Sequence, residues 1–265
     1  MKEKRFAGKH VIITGGGRGI GKATAVRFCQ EGAEVLLVGR SIKPLDETVS
    51  LIGEQGGKAW AFQADVTRTK QVQGIVDAAH ERWQSIDVLI NNAGVDDDTP
   101  FLDIEEKNWD LVLATNLKAP FILSQRVARV MVQSGGGVIL HNASIDATGG
   151  EGNYASYNAA KSGLLGLNRT MALELAKYNI RVNCVSPGYT HTEMSEAAVG
   201  PERMKELQHA FDRVPMKRMV RTNEVAAAFV FLASDDASAI TGTNLVVDCG
   251  TTANWYILET LKGSQ

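Results

Sequence analysis

The chain has 265 residues, 44% of them hydrophobic, with 28 basic and 30 acidic side chains and a formal net charge of −2. That length and apolar content are enough to bury a sizeable core, in one or two domains. The near-balance of charge provides no basic field for nucleic acid or for an anionic membrane surface, so neither is expected as a partner.

Short apolar, β-branched runs alternate with helical patterns along the chain. HVIIT (10–14) reads as a first strand and is followed by a helix from about Ile20 to Glu31. EVLLV (34–38) precedes a helix over 44–55, and KAWAFQ (58–63) precedes one over 69–83. DVLINN (87–92) leads into a long helical stretch from about Glu105 to Gln133. GVILHN (137–142) is followed by a helix near 155–177, then by IRVNCV (180–185) and a closing NLVVD (244–248). The seven strands are continuously apolar rather than alternating, as in a parallel sheet covered on both faces. Strands and helices in this order predict an α/β, doubly wound fold.

No linker, repeat or low-complexity tract interrupts the pattern, so one domain over 1–265 is expected. Residues 187–220 break the rhythm and read as an inserted substrate loop or lid. The charged opening MKEKRFAGKH contains no signal-peptide apolar segment, and no run approaches the roughly 18 apolar residues of a membrane helix. A soluble, cytoplasmic protein is expected. Cys29, Cys184 and Cys249 match neither a disulfide framework nor a zinc spacing, and read as small buried hydrophobes. None of the five histidines pairs at a metal spacing, so no metal is expected.

After the first strand comes TGGGRGIG, Thr14 to Gly21, with the spacing GxxxGxG: Gly15, Gly19, Gly21. Glycines at a strand-to-helix junction let backbone N–H groups approach a pyrophosphate at the helix N-terminus. A dinucleotide site often carries an acid at the end of the second strand, for the ribose 2′-hydroxyl. Here Gly39 and Arg40 stand in that region. Arg40, with Arg18 in the turn, can pair with a 2′-phosphate, so NADP(H) is expected over NAD(H), which is the alternative.

SYNAAK (156–161) sets Tyr157 four residues before Lys161, on one helix face. A free phenol has a pKa near 10, and a nearby ammonium favours the phenolate. Tyr157 is therefore the expected general acid/base, its pKa lowered by Lys161. Tyr154 has Asn158 at the same offset, so it reads as a pocket wall.

Taken together, these residues resemble the short-chain dehydrogenase/reductase family over nearly the whole chain. TGGGRGIG, with Ile20 inside it, is similar to the family's cofactor turn. Asp65-Val66 resembles its adenine-contacting pair, and NNAG (91–94), with Asn92, Ala93 and Gly94, its fourth-strand motif. Asn116 in ATNLKAPF, Ser144, and Tyr157 and Lys161 in YNAAK resemble its catalytic set. PGYTHTEM resembles the segment after the sixth strand, which brings Pro187, Gly188, Thr190 and Thr192 to the cofactor. ITGTNLVVDCG resembles the closing strand, except that Cys249 stands where glycine is usual.

The resemblance implies a single-domain Rossmann fold, NAD(P)-dependent interconversion of a ketone or aldehyde and an alcohol, and a homotetramer, with a dimer next. It also implies that Lys161 and Tyr157 bond the nicotinamide ribose side and that Thr192 contacts the carboxamide. Asn116 would orient a water near Lys161. Ser144, at the end of the fifth strand, would polarise a substrate oxygen. Asp146, Glu151, Asn153, Tyr154, His191, Met194 and Trp255 are the candidate pocket residues. They favour a hydroxylated small-molecule substrate such as a polyol or sugar, which makes an NAD(H)-dependent sugar or polyol dehydrogenase the alternative, and leave 3-oxoacyl thioesters, steroids and small diketones open. The run Asp96-Asp97-Asp98 reads as a solvated loop. A non-catalytic dinucleotide sensor, or an epimerase or dehydratase on the same fold, are the other function classes.

Overall fold

A computed structural model describes residues 4–253. Seven parallel strands form one sheet in the order β3-β2-β1-β4-β5-β6-β7. They are β1 His10–Thr14, β2 Glu34–Gly39, β3 Lys58–Gln63, β4 Val88–Asn91, β5 Gly137–Asn142, β6 Ile180–Pro187 and β7 Asn244–Val247. The strand order reverses between β1 and β4, which opens a crevice at the carboxyl ends of those strands.

The sheet is covered on both sides, which is why its strands read as unbroken apolar runs. On β1, Val11 and Ile13 pack with Phe28 of helix α1 (Gly19–Gln30) and Phe229 of helix α9 (Thr222–Ala233). Ile12, between them, faces the other way, with Val72 and Ile75 of α3 (Thr69–Trp83) and Leu123 of α5 (Ala119–Gln133). Each such fully buried aliphatic side chain contributes about 1.5–3 kcal/mol. Helix α2 (Ile42–Glu54) carries Pro44 in its first turn, where the missing N–H costs no helical bond.

Two expectations are corrected. The long helix expected over 105–133 is α4 (Glu106–Leu113) and α5, joined by a π-helical turn at Ala114–Lys118. Asn116 lies in that turn, and its side-chain bonds, given below, account for the widening. The 187–220 segment is not irregular throughout. It holds α7 (Glu193–Val199) and α8 (Pro201–His209), and returns to the sheet through a bridge between Thr190 and Val220. Gly200, at φ 81, separates the two helices, and Pro201 starts the second at its first position. Helix α6 (Ala155–Leu175) follows β5. Cys249 adopts φ 55, a left-handed conformation in which glycine is less strained.

Candidate active site

The turn between β1 and α1 is made by backbone. Gly15 (φ 67) and Gly19 (φ 49) are both left-handed. A Cβ on Gly21 would stand 2.2 Å from the Gly15 carbonyl oxygen and 2.6 Å from Asn92 Nδ2, so only glycine closes the turn. Helix α1 has no side-chain cap on Arg18 and no acid in its first turn. Its leading N–H groups are thus offered to an anion from elsewhere. One already meets such an anion: Gly19 N–H donates to Glu193 Oε2 at 3.0 Å. A carboxylate oxygen already held by a leading N–H of this helix fits an anionic group such as the pyrophosphate of a dinucleotide.

Thr14 and Asn92 shape this cradle. Thr14 Oγ1 accepts the N–H groups of Asn92 (2.9 Å) and Ala93 (3.0 Å). Asn92 Nδ2 donates to the Thr14 carbonyl at 2.9 Å, and Asn92 Oδ1 accepts from Asn142 Nδ2 at 3.0 Å. Beyond the end of β3, Asp65 Oδ1 accepts both the N–H and the hydroxyl of Thr67. Burial pushes the Asp65 carboxyl up, but those bonds and the Arg40 and Arg68 charges outweigh it and hold it below its ordinary value. Val66 is buried beside it. Arg18 and Arg40 are both exposed at this edge.

At the end of β5, Ser144 Oγ accepts the Asp146 N–H (3.2 Å) and donates to Asp146 Oδ2 (3.0 Å), closing a 3-10 turn at Ile145–Ala147. Ser144 lies close enough to the Tyr157 phenol to favour its ionised form. Lys161 is buried, its Nζ 5.3 Å from the centre of the Tyr157 ring, and donates to the Asn142 carbonyl at 2.6 Å. The structure thus brings Ser144, Tyr157 and Lys161 into one neighbourhood at the end of β5. The expected electrostatics are corrected. Burial pushes the Tyr157 phenol up, with the Asp146 charge adding to it, so the phenol stands above its ordinary value rather than below it. Burial instead lowers the Lys161 ammonium to about 8. The lysine is drawn to a backbone carbonyl rather than to the phenolic oxygen.

Asn142, which holds Lys161 through its carbonyl and Asn92 through its side chain, was missed by sequence reasoning. So was Glu193. The only available signal for Asn142 was its place at the carboxyl end of a central strand. Asn116 is buried in the π-helical turn, and both ends of its amide are used. Its Oδ1 accepts Val95 N–H at 2.9 Å, and its Nδ2 donates to the Val95 carbonyl at 2.7 Å. The place of a Cβ on Gly94 lies 3.2 Å from Asn116 Oδ1 and 3.9 Å from Lys161 Nζ. Asn116 therefore clamps the strand exit beside Lys161.

The open side of the cluster is acidic and aromatic. The Tyr154 and Tyr157 rings meet edge to face, 6.4 Å apart. Burial and the Asp98 charge push Tyr154 up to about 12. Glu151 Oε1 accepts the Tyr189 hydroxyl at 2.6 Å, and Asp98 accepts from Asn153 Nδ2 at 3.0 Å. The 96–98 run is therefore tied to the 151–154 loop at this rim rather than solvated apart from it. Thr192 caps α7 by accepting the Ser195 N–H, and its methyl packs over Gly19. Thr190 Oγ1 donates to the Gly188 carbonyl at 2.8 Å, next to the buried Pro187. The His191 ring turns to Gln208 (3.2 Å) and Glu196 (3.7 Å) within its own segment. Met194 is 54% exposed on α7. Trp255 lies outside the described residues. No group of three or more His, Cys, Asp or Glu among the described residues could hold a metal.

A doubly wound parallel sheet, an anion cradle at its switch point and a Ser-Tyr-Lys cluster at the strand ends define a dinucleotide-dependent oxidoreductase. The comparisons name its family. A family profile described as enoyl-(acyl carrier protein) reductase matches residues 15–252. The 3-oxoacyl-(acyl-carrier-protein) reductase FabG of Thermotoga maritima is 38% identical, over 93% of this chain and 98% of its own length. Levodione reductase of Leifsonia aquatica is 37% identical, over 94% and 96%. A solved 7α-hydroxysteroid dehydrogenase, complexed with NADH and 7-oxo glycochenodeoxycholic acid, superposes with a TM-score of 0.87 at 35% identity, over 94% and 96% of the two chains. The chain belongs to the short-chain dehydrogenase/reductase family.

Proposed function

We propose that this protein is an NADP(H)-dependent carbonyl reductase or alcohol dehydrogenase, with Tyr157 as its general acid/base. The observation that carries this reading is the meeting of Ser144, Tyr157 and Lys161 beside the glycine cradle. The dinucleotide supplies or takes the hydride when bound. In reduction Tyr157 gives its proton to the carbonyl oxygen, and its raised pKa keeps that proton in place at neutral pH. Ser144 holds the substrate oxygen in line, and Lys161 places its charge beneath the phenol. Asn116 keeps the β4 exit in the shape that this arrangement needs. Thr14, Gly15, Gly19, Ile20 and Gly21 hold the pyrophosphate side; Asp65, Val66, Asn92, Ala93 and Gly94 line the rest. Pro187, Gly188, Thr190 and Thr192 close over the nicotinamide.

Arg18 and Arg40, with no carboxylate at the end of β2, support NADP(H). A second reading, an NAD(H)-dependent sugar or polyol dehydrogenase, is favoured by the acidic rim of Asp146, Glu151 and Asp98, which accepts hydroxyl donors well. Catalytic efficiencies with NADPH and NADH separate the two. A charge-assisted bond to the 2′-phosphate is worth about 1.5–3 kcal/mol, so NADPH is favoured by about tenfold or more. A preference for NADH decides for the second reading. Tyr157→Phe is expected to lower turnover by about 10²–10⁴-fold while fluorescence still reports NADPH binding; undiminished turnover refutes the assignment.

A homotetramer, or a dimer, in the cytoplasm is also our reading. Leu111, Phe121 and Leu173, exposed on α4, α5 and α6, support self-association. No helix among the described residues is long and apolar enough to cross a membrane.

A further inference from the structure

A serine hydroxyl has one hydrogen and two acceptor lone pairs. The Ser144 hydrogen is committed to Asp146 Oδ2 at 3.0 Å, and the Asp146 N–H comes back to Ser144 Oγ at 3.2 Å. While Asp146 is a carboxylate, Ser144 has one lone pair and no hydrogen left for any other partner. A carbonyl oxygen that gathers charge as hydride arrives needs donors, not lone pairs. With Asp146 ionised, Tyr157 is the only donor of the pair. With Asp146 protonated, the acid donates to Ser144 Oγ, and the serine hydrogen is released to the substrate oxygen. Ser144 keeps its own proton throughout, and the proton that ends on the alcohol comes from Tyr157.

We propose that Asp146 is a positioning residue: its protonation state directs the single hydrogen of Ser144, and so gates hydride transfer to a carbonyl. This rests on the carbonyl-reductase reading above. The surroundings of Asp146 bear on where the gate operates. The residue is half-buried, and burial raises its carboxyl; the Ser144 hydrogen bond and the Lys161 charge draw it partly back. The titratable groups around it are Tyr157 and Lys161 on α6, Glu151 in the loop before α6, and Tyr189 beyond β6. Of these only Lys161 is cationic, and it favours the carboxylate.

The test is the pH profile of kcat/KM for reduction of diacetyl with saturating NADPH. In the unmodified protein activity is expected to fall as pH rises through the Asp146 titration. Asp146→Asn removes that limb, so its profile is flat there. It is expected to exceed the unmodified protein where Asp146 is ionised, by up to about 10²–10³-fold, the cost of losing one donor to a developing oxyanion. Asp146→Ala, which offers Ser144 no acceptor, is expected to match Asp146→Asn. NADPH fluorescence titration confirms that both variants are folded. Parallel profiles in all three proteins, or variants that bind NADPH but are slower at every pH, overturn the proposal. If all three bind NADPH and none reduces diacetyl or any other carbonyl tried, the carbonyl-reductase reading itself fails and takes this proposal with it.

Discussion

Gly19 at the head of α1 and Glu193 at the head of α7 are joined by one hydrogen bond, in which the glycine N–H donates to the carboxylate at 3.0 Å. The two residues are 174 positions apart in sequence, and the bond fastens the segment after β6 onto the phosphate turn. It also puts a negative charge at the leading N–H groups of α1, where the proposed function sets the pyrophosphate. On that reading bound dinucleotide and this contact compete.

Glu193→Gln keeps the length and an acceptor but removes the charge. A carboxylate at a helix N-terminus is worth about 0.3–1 kcal/mol at an exposed site, so NADPH should bind about two- to fivefold more tightly. Fluorescence titration reads the dissociation constant directly. An unchanged or weaker affinity would show that the carboxylate does not oppose the cofactor.

Lys161 should make stability rise in mild alkali. Its folded pKa, about 8, lies below the ordinary lysine value of 10.5. Between those values the unfolded chain holds more protons than the folded one, so stability increases with pH across that window. Tyr157 acts oppositely, since its raised pKa costs stability only above its ordinary value of 10. Lys161→Met removes the lysine titration. The stability of the unmodified protein relative to this variant should grow by about 1–2 kcal/mol between about pH 7 and pH 10. Urea unfolding at several pH values checks it; a constant difference would mean that Lys161 is not desolvated.

Gly21→Ala sets two effects against each other. Alanine is the better helix former by about 1 kcal/mol. Its Cβ, however, would stand 2.2 Å from the Gly15 carbonyl oxygen, a backbone atom that cannot move without opening the turn. Overpacking of this kind costs about 1–3 kcal/mol, so the clash wins. The variant is expected to unfold at a lower temperature and to bind NADPH at least about tenfold more weakly, because the cradle depends on backbone positions. Calorimetry and fluorescence titration measure the two effects. Normal affinity would mean that the turn relaxes without losing its function.

Much of the site was legible because its chemistry is local. Tyr157 and Lys161 are one helical turn apart, and Ser144 follows a strand whose end faces the crevice. HVIIT and GVILHN could be read as strands because a parallel sheet buries both faces, leaving no polar positions to blur the run. The π-helical turn at Ala114–Lys118 was not legible. ATNLK has no helix breaker, and the widening goes with the two bonds between the Asn116 amide and Val95, which lies 21 residues earlier. The helices α7 and α8 were hidden for a different reason. A Gly-Pro pair is a turn signal in sequence, but here Gly200 and Pro201 mark a boundary between two short helices.

From its residues alone, the chain determines a doubly wound sheet, a glycine-rich strand-to-helix turn and a Tyr-Lys pair, because periodicity and spacing encode which side chains share a helix face; Ser144 joins them through the family resemblance. The electrical state of that set was decided only by the tertiary structure. Spacing brings Lys161 near Tyr157, but the Asn142 carbonyl holds the ammonium, and burial raises the phenol instead of lowering it. Likewise, only folding brings Glu193 to the cradle of Gly19, 174 positions away. Desolvation and hydrogen-bond partnership belong to the packed chain, and no linear pattern records them.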